Sequence, residues 1–337
     1  KNKIIILSHL GRPNEDEDNS NLSLKKISEH LSKIINQKIV FQTDWINGID
    51  FEDSNIVMCE NVRFQQGEKS NSIDLSRKLA SLAEVFVFDA FGVSHRKEAS
   101  TYGVTDFLDS YAGVLLQTEI ETATHMIQEP KKPLTTIISG SKISTKFLLI
   151  EKFLEKSSYL ILGGGILNTF LKALGYNIGD SLIERGFLND AKKIINKTNF
   201  NKIVLPDDVV CSNNKQLDNP KTKSISMVQS NDKILDIGKN SIDKYIEIIK
   251  KSETVFWNGP LGYIEKKPYD NGTIRLSHAI ASSNCYSVAG GGDTIPIIEN
   301  LRLEDSFSHL STGGGSLLKF LEGKKLPILE KLGVYSS

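Results

Sequence analysis

Cysteine is scarce: Cys59, Cys211 and Cys285 are the only three, and no CxxC pair occurs. That spacing suggests neither a disulfide framework nor a thiolate zinc site, and a reducing compartment fits best. Excess charge is also missing. The 41 Lys and Arg balance 41 Asp and Glu, which excludes a globally basic binder of nucleic acid or membrane, though not a local basic patch. Aliphatic runs are short. Ile4–Leu7 is among the longest, far below the ~18 apolar residues that span a bilayer. No signal-peptide pattern, internal repeat or low-complexity tract is evident. Neither GxxxxGK[ST] nor GxGxxG occurs, so the two commonest nucleotide fingerprints are absent and a nicotinamide dehydrogenase is disfavoured. No Ser/His/Asp or Cys/His constellation for covalent catalysis stands out.

What is present is a chain of 337 residues with 39% hydrophobic and 24% charged residues. At about 150 residues per domain, it is long enough for two cored domains. Short apolar runs alternate with amphipathic stretches. Strands are expected at Ile4–Leu7, Ile39–Phe41, Asn55–Met58 and Val85–Phe88, then near Thr135–Ser139, Tyr159–Leu162, Ile203–Leu205, Thr254–Trp257 and Tyr286–Ala289. Helices are expected at Leu24–Ile35 and Ile73–Leu82, then near Thr145–Leu154, Ile166–Ala173, Leu188–Ile195, Ile242–Lys250, Ile274–Ser282 and Ser316–Glu322. This alternation predicts mostly parallel sheets with helices on both faces. In Gly113–Glu129 the apolar residues Leu116, Ile120, Ala123 and Ile127 form one helical stripe, and Pro130 and Pro133 stop the helix. This reads as an interdomain helix with a boundary near residue 130; one continuous sheet is the alternative. The acidic run Glu15–Asp18 reads as a solvated loop. The immediate strand and the missing initiator Met read as a truncated N-terminus.

Open α/β sheets bind ligands beyond the carboxyl ends of their strands. There the first half places Ser8-His9-Leu10-Gly11-Arg12-Pro13, Asn61-Val62-Arg63-Phe64 and Asp89–Arg96. Arginines meeting at such a place would make an anion cradle, because the guanidinium fork suits phosphate and carboxylate; taken singly, each is as well explained as a solvated loop residue. The second half carries three glycine triplets, Gly163–Gly165, Gly290–Gly292 and Gly313–Gly315, which would let backbone approach a phosphate or simply make turns. Lys142 and Lys146 share an expected helix start, where two cations are unfavourable unless a polyanion binds; the alternative is two solvated lysines. Asp293 serves as a helix cap or, in a phosphate site, as a Mg²⁺ ligand. Glu265 would accept from ribose hydroxyls or pair with Lys266 or Lys267. Together these residues describe a two-domain α/β enzyme with an anion cradle on one domain and a Mg-nucleotide site on the other, an arrangement suited to phosphoryl transfer.

Eight motifs in order, from Ser-His-Leu-Gly-Arg-Pro through Glu-Asn-Val-Arg-Phe, Asp-Ala-Phe-Gly-Val-Ser-His-Arg, Ser-Gly-Ser-Lys-Ile-Ser-Thr-Lys, Gly-Gly-Gly-Ile-Leu-Asn-Thr-Phe, Phe-Trp-Asn-Gly-Pro-Leu-Gly and Gly-Gly-Gly-Asp-Thr to Ser-Thr-Gly-Gly-Gly, resemble those of bacterial-type phosphoglycerate kinases and span Ser8 to Gly315. The resemblance implies two doubly wound, Rossmann-like domains joined by an interdomain helix: 1–129, including helix 113–129, for 3-phosphoglycerate, and 130–337 for nucleotide, the C-terminal tail returning to the first. It implies a monomeric, cytoplasmic, hinge-bending glycolytic enzyme acting on small molecules, with neither nucleic acid nor membrane as partner. The reaction is reversible and Mg-dependent, between 1,3-bisphosphoglycerate with ADP and 3-phosphoglycerate with ATP. By motif match, His9, Leu10, Gly11, Arg12, Arg63 and Arg96 would hold 3-phosphoglycerate. Lys142, with Gly313 and Gly314 at a helix start, would meet the transferred phosphoryl. Lys146, Gly163, Gly164, Gly165, Asn258, Pro260, Glu265, Gly291, Gly292, Asp293 and Thr294 would hold nucleotide, with Asp293 on Mg²⁺. The family's earlier strand and helix, bearing an Asp, an Asn and an Arg of the substrate site, have no counterpart here, and Ser139 and Val62 stand where Gly and Leu are common. A catalytically impaired nucleotide-binding fragment of the same fold is the alternative.

Overall fold

A computed structural model describes residues 2–13, 18–197 and 199–335. It divides into two compact units, one comprising the chain up to Gln117 together with the segment from Lys325 onward, the other Thr118–Lys324. The division falls inside a long helix rather than at the prolines that end it, because a helix running from one unit into the other contributes residues to both.

In the first unit, strands β1 (Ile4–Ile6), β2 (Val40–Gln42) and β3 (Ile56–Cys59) form a parallel sheet in the order β1-β3-β2. β4 (Val85–Phe88) and β5 (Asp109–Ala112) form a separate parallel pair. The parallel strands of this unit thus lie in two sheets, since among the described residues no strand pairs with both β1 and β4. Helices α1 (Lys25–Ile34) and α2 (Ile73–Ala80) fall where the apolar spacing puts them. Leu75 and Leu79 of α2, four apart and therefore on one face, reach a core that contains Trp45, Cys59, Val62, Ala99 and Val104. The acidic residues 15–17 lie outside the described residues. Asp18 accepts hydrogen bonds from the backbone N and Oγ of Ser20 and so begins the turn Ser20–Leu22.

Helix α3 (Val114–Gln128) follows β5. The second unit is built on one six-stranded parallel sheet. Its strands are β6 (Leu134–Ile138), β7 (Tyr159–Leu162), β8 (Ile203–Val204), β12 (Thr254–Asn258), β13 (Tyr286–Gly290) and β14 (His309–Ser311), in the order β14-β13-β12-β6-β7-β8. The two middle strands, β6 and β12, are buried along their whole length, as parallel strands covered on both faces are. The covering helices are α4 (Phe147–Lys156), α5 (Gly164–Ala173), α6 (Leu188–Ile195), α7 (Lys239–Lys250), α8 (Asn271–Ala281), α9 (Ile295–Asn300) and α10 (Gly315–Leu321). α4 buries Leu149, Ile150, Phe153 and Leu154, and Phe153 stacks on Phe256 of β12 with ring centroids 5.1 Å apart. Three further strands, β9 (Asp208–Ser212), β10 (Lys221–Ser224) and β11 (Lys233–Ile237), make a small antiparallel sheet in the order β10-β9-β11. β10 was not legible as a strand because it is Lys-Thr-Lys-Ser, without apolar alternation.

The last helix, α11 (Pro327–Lys331), belongs to the first unit. Its Ile328 and Leu329 are fully buried, and Lys331 pairs with Asp106 while lying 5.0 Å over the Tyr102 ring.

Candidate active site

The basic residues of the first unit stand on turns that leave β1, β3 and β4. Asn61, wholly buried, ties two of these turns together. Its Nδ2 donates to the carbonyls of Leu10 (2.8 Å) and Leu22 (3.0 Å), and its Oδ1 accepts from Arg63 N at 3.1 Å. Arg63 is buried and donates from Nη1 to the Gly11 carbonyl at 2.8 Å. Its Nη2 lies 3.2 Å from Glu98 Oε1, which also stands 3.5 Å from Nη1 of Arg96. Arg63 Nε is buried without a hydrogen-bond partner. His9 is held below its usual value by burial and by Arg63, with Glu98 opposing and Arg96 adding. It is therefore neutral near pH 7 and a hydrogen-bonding imidazole rather than a cation. Arg12 is exposed and makes no ion pair among the described residues, and Leu10 is exposed beside it. The structure thus brings His9, Gly11, Arg63 and Arg96 into one cluster around Glu98, with Leu10 and Arg12 on its open side.

In the second unit every candidate residue but one lies just past the carboxyl end of a strand of the six-stranded sheet: 139–146 after β6, Gly163–Gly165 after β7, Asn258–Pro260 at the end of β12, Gly290–Thr294 after β13 and Thr312–Gly315 after β14. Glu265 sits further along the β12 loop. It is exposed and makes no ion pair with Lys266 or Lys267 among the described residues; Lys266 instead bonds the Gln216 carbonyl.

Lys146 reaches back to the Ser139 carbonyl. Burial pushes its ammonium down to about 8, and Asp293 opposes the shift. Lys142 differs: it is exposed, extended (φ −125°, ψ 120°) and makes no ion pair among the described residues. Thr294 is fully buried, and its Oγ1 accepts from Gly259 N at 2.9 Å, so this hydroxyl holds two strand-end turns together. Asn258 donates to the Gly290 carbonyl at 2.7 Å, while its Oδ1 is buried without a partner.

The triplets are not alike. A Cβ on Gly163, Gly164 or Gly165 would stand 2.5 Å from Ser139 Oγ, 2.8 Å from the Gly140 carbonyl and 2.4 Å from the Ser141 carbonyl. Close packing of the β7 turn against the β6 turn requires these glycines whether or not a ligand is present. Nothing lies within 4 Å of the corresponding positions at Gly292, Gly314 and Gly315, which leaves that backbone open to a ligand.

One buried carboxylate on this side was not legible in the sequence. Glu119 of α3 has no exposed surface. It takes Ser311 Oγ (2.6 Å), Thr312 N (2.6 Å) and Thr312 Oγ1 (2.8 Å), with His309 Nε2 at 3.0 Å. It therefore seats the turn that leads into Gly313, Gly314 and α10. The expected stripe of α3 is corrected accordingly. Leu116 and Ala123 are buried, but Glu119, Thr122 and Met126 take the buried positions given to Ile120 and Ile127, which are only partly covered.

A parallel-sheet unit with an arginine cluster and a second with glycine turns and lysines at its strand ends define a phosphotransferase. The phosphoglycerate kinase family model matches residues 1–324. The chain is 45% identical over 333 residues to phosphoglycerate kinase of Francisella tularensis subsp. novicida, covering 98% of this chain and 85% of that one. It is 46% identical, over the same shares, to that of Francisella philomiragia. Its fold matches phosphoglycerate kinase from Coxiella burnetii at a TM-score of 0.87 and 40% identity, covering 99% of this chain and 87% of that one. The corresponding values for the Pyrococcus horikoshii enzyme are 0.82, 25%, 99% and 87%. The chain belongs to the phosphoglycerate kinase family, and its activity is phosphoryl transfer between 1,3-bisphosphoglycerate and ADP on the glycolytic path. No helix among the described residues is long and apolar enough to cross a membrane.

Proposed function

We propose that the first unit holds 3-phosphoglycerate through His9, Leu10, Gly11, Arg12, Arg63 and Arg96. In the second unit Lys146, Gly163–Gly165, Asn258, Pro260, Glu265 and Gly291–Thr294 hold the nucleotide. Lys142 and the turn at Gly313–Gly314 meet the phosphoryl group in flight. The observation that carries this reading is the placement of almost every candidate nucleotide residue at one end of one parallel sheet, where the fold makes room for a ligand.

Asp293 is the fitting residue for Mg²⁺. Among the described residues no group of three or more acidic, His or Cys side chains gathers into a protein cage. Mg²⁺ on a nucleotide needs none, because phosphates and water fill most of its shell and one or two carboxylates suffice. Asp293 is exposed, makes no ion pair among the described residues and faces the field of Lys146. Asp293 would hold Mg²⁺ beside the nucleotide, where the ion would supply charge neutralisation to the phosphates.

The chemistry asks little of an acid or base. The acceptor is a carboxylate already ionised at neutral pH. Its oxygen bonds to the γ-phosphorus as the bond from phosphorus to the leaving ADP oxygen breaks, and no proton moves. The chain's work is alignment, which can supply roughly 7–11 kcal/mol of the barrier, and charge stabilisation in the transition state. Cytoplasmic location is proposed as well, supported by the three free, buried cysteines, and a monomeric state on the family resemblance alone.

Arg96→Ala tests the acid half. The dissociation constant for 3-phosphoglycerate is expected to rise about tenfold or more, as loss of a charge-assisted bond does, with MgATP affinity unchanged in calorimetry. An unchanged affinity for the acid removes Arg96 from the site. Lys146 supplies a pH test. With its ammonium at about 8 in the free protein, nucleotide phosphates will restore the charge on binding. Titrations at pH 8 in buffers of different ionisation enthalpy should show uptake of about half a proton per nucleotide, lost in Lys146→Met.

A further inference from the structure

The first unit contains a second buried carboxylate that none of the substrate assignments uses. Glu68 is 1% exposed and lies a few residues beyond Arg63 on the same turn. Its side chain grips the segment bearing the other arginine. Glu68 Oε2 accepts from Ser100 N at 3.0 Å, and Oε1 from Ser100 Oγ at 2.5 Å. Its backbone carbonyl takes Ala99 N at 2.9 Å. These bonds fix the turn that starts at Glu98, whose own carbonyl accepts from Tyr102 N at 2.8 Å and Gly103 N at 3.2 Å. Glu98 is the carboxylate shared by Arg63 and Arg96.

Three other buried carboxylates have duties away from the arginine cluster. Asp208 accepts from Asn240 N (3.1 Å) and Ser241 N (2.8 Å) and caps α7. Asp236 accepts from Gly272 N at 2.8 Å near the start of α8. Asp232 pairs with Lys223 at 2.6 Å. Glu68 alone among these four joins two segments that each carry a ligand arginine. Its position is also an unfavourable one for an acid. Burial drives its carboxyl up to about 7, against the Ser100 hydrogen bonds; Glu98 pushes the same way and Arg63 opposes. An apolar side chain would avoid that desolvation cost, but it would leave the Ser100 amide and hydroxyl unsatisfied and the turn free to shift.

We propose that Glu68 is a positioning residue for the 3-phosphoglycerate site, holding the Glu98 turn so that Arg63 and Arg96 keep the spacing that the anionic acid requires. This rests on the assignment of that arginine cluster to 3-phosphoglycerate. The test measures KM for 3-phosphoglycerate, KM for MgATP, kcat and the melting temperature in Glu68→Ala, Glu68→Gln and Ser100→Ala. Calorimetric binding of the acid is measured beside them. Glu68→Ala is expected to raise the KM and dissociation constant for 3-phosphoglycerate by about tenfold, with KM for MgATP within about twofold. Glu68→Gln restores the acid's KM to within about threefold, because its amide oxygen takes the Ser100 N–H while its NH₂ donates to Ser100 Oγ. A purely structural role would lower the melting temperature and leave KM of the folded enzyme alone, and that result overturns the proposal. So does an equal rise in both KM values, or a glutamine variant as impaired as the alanine one. Should Glu68→Ala not fold, Ser100→Ala decides: a rise of about threefold in the acid's KM alone supports the proposal, and no change overturns it. A wild-type chain that neither binds 3-phosphoglycerate nor turns it over would instead overturn the assignment of the cluster, and the role of Glu68 with it.

Discussion

Lys142→Ala should lower kcat by about 10²–10³-fold, the usual loss when one donor to a transition-state oxyanion is removed, while the dissociation constant for MgATP stays within about twofold. The two lysines of the β6 turn have opposite surroundings, and the prediction follows from that difference. Lys146 is largely buried, bonds the Ser139 carbonyl and lies in the field of Asp293; it is committed to one place in the free protein. Lys142 has an anchored backbone and an exposed head that lies in the field of Glu184. Thr145 Oγ1 donates to its carbonyl at 2.9 Å, Ile143 beside it is fully buried, and Glu184 takes Ser144 N at 2.9 Å. Its ammonium is exposed, and its backbone need not reorganise when charge develops on the phosphoryl oxygens. Rapid-quench turnover and calorimetry separate the cases: a loss of kcat alone marks a contact made in the transition state, and an equal loss of nucleotide affinity marks a ground-state contact. Lys142→Arg should recover only part of the rate, because a planar fork replaces a compact point charge.

The sequence was most legible where chemistry follows from local pattern. β4 and β7 fall on the residues their apolar runs mark, and α6 spans the predicted Leu188–Ile195. The strand-end turns carrying Arg63, Lys142 and Asp293 could be placed because a parallel sheet puts its ligands there. What stayed hidden depends on partners distant in the chain. β5 is Asp-Ser-Tyr-Ala, a strand only by its pairing with β4. The glycines at 163–165 have a further duty that no local window shows, close packing against the turn at 139–141. Glu119 and Glu68 resemble solvated acids in any local window. Their burial is set by donors up to 193 residues away, at Thr312, and 32 residues away, at Ser100. The one local clue for Glu119 is its place on a helix between Leu116 and Ala123, at three- and four-residue spacing, which puts it on the apolar stripe.

Glu119→Ala carries the largest expected effect on stability. Removing the carboxylate leaves the buried Ser311 hydroxyl without its acceptor, releases the amide and hydroxyl of the more exposed Thr312 and deprives His309 of its partner. The expected loss is about 3 kcal/mol, in the range found when one member of a buried charged network is deleted, and urea unfolding would measure it. Glu119→Gln, which keeps one acceptor oxygen, should lose less. The pH dependence distinguishes the two. Burial raises the Glu119 carboxyl, but hydrogen bonds from His309, Ser311 and Thr312 outweigh it and hold the group below the usual carboxylate range. An acid depressed in the folded state stabilises the fold fully above its unfolded pKa, and this contribution disappears as pH falls through the folded one. Wild-type stability should therefore drop below about pH 4 by an increment that Glu119→Gln does not show. A variant curve parallel to wild type in that range would mean the carboxylate charge does no work there. The same bonds seat the turn before Gly313 and Gly314, so kcat should fall in Glu119→Ala even well below its melting temperature, as a turn meant to meet the phosphoryl group loses its fixed position.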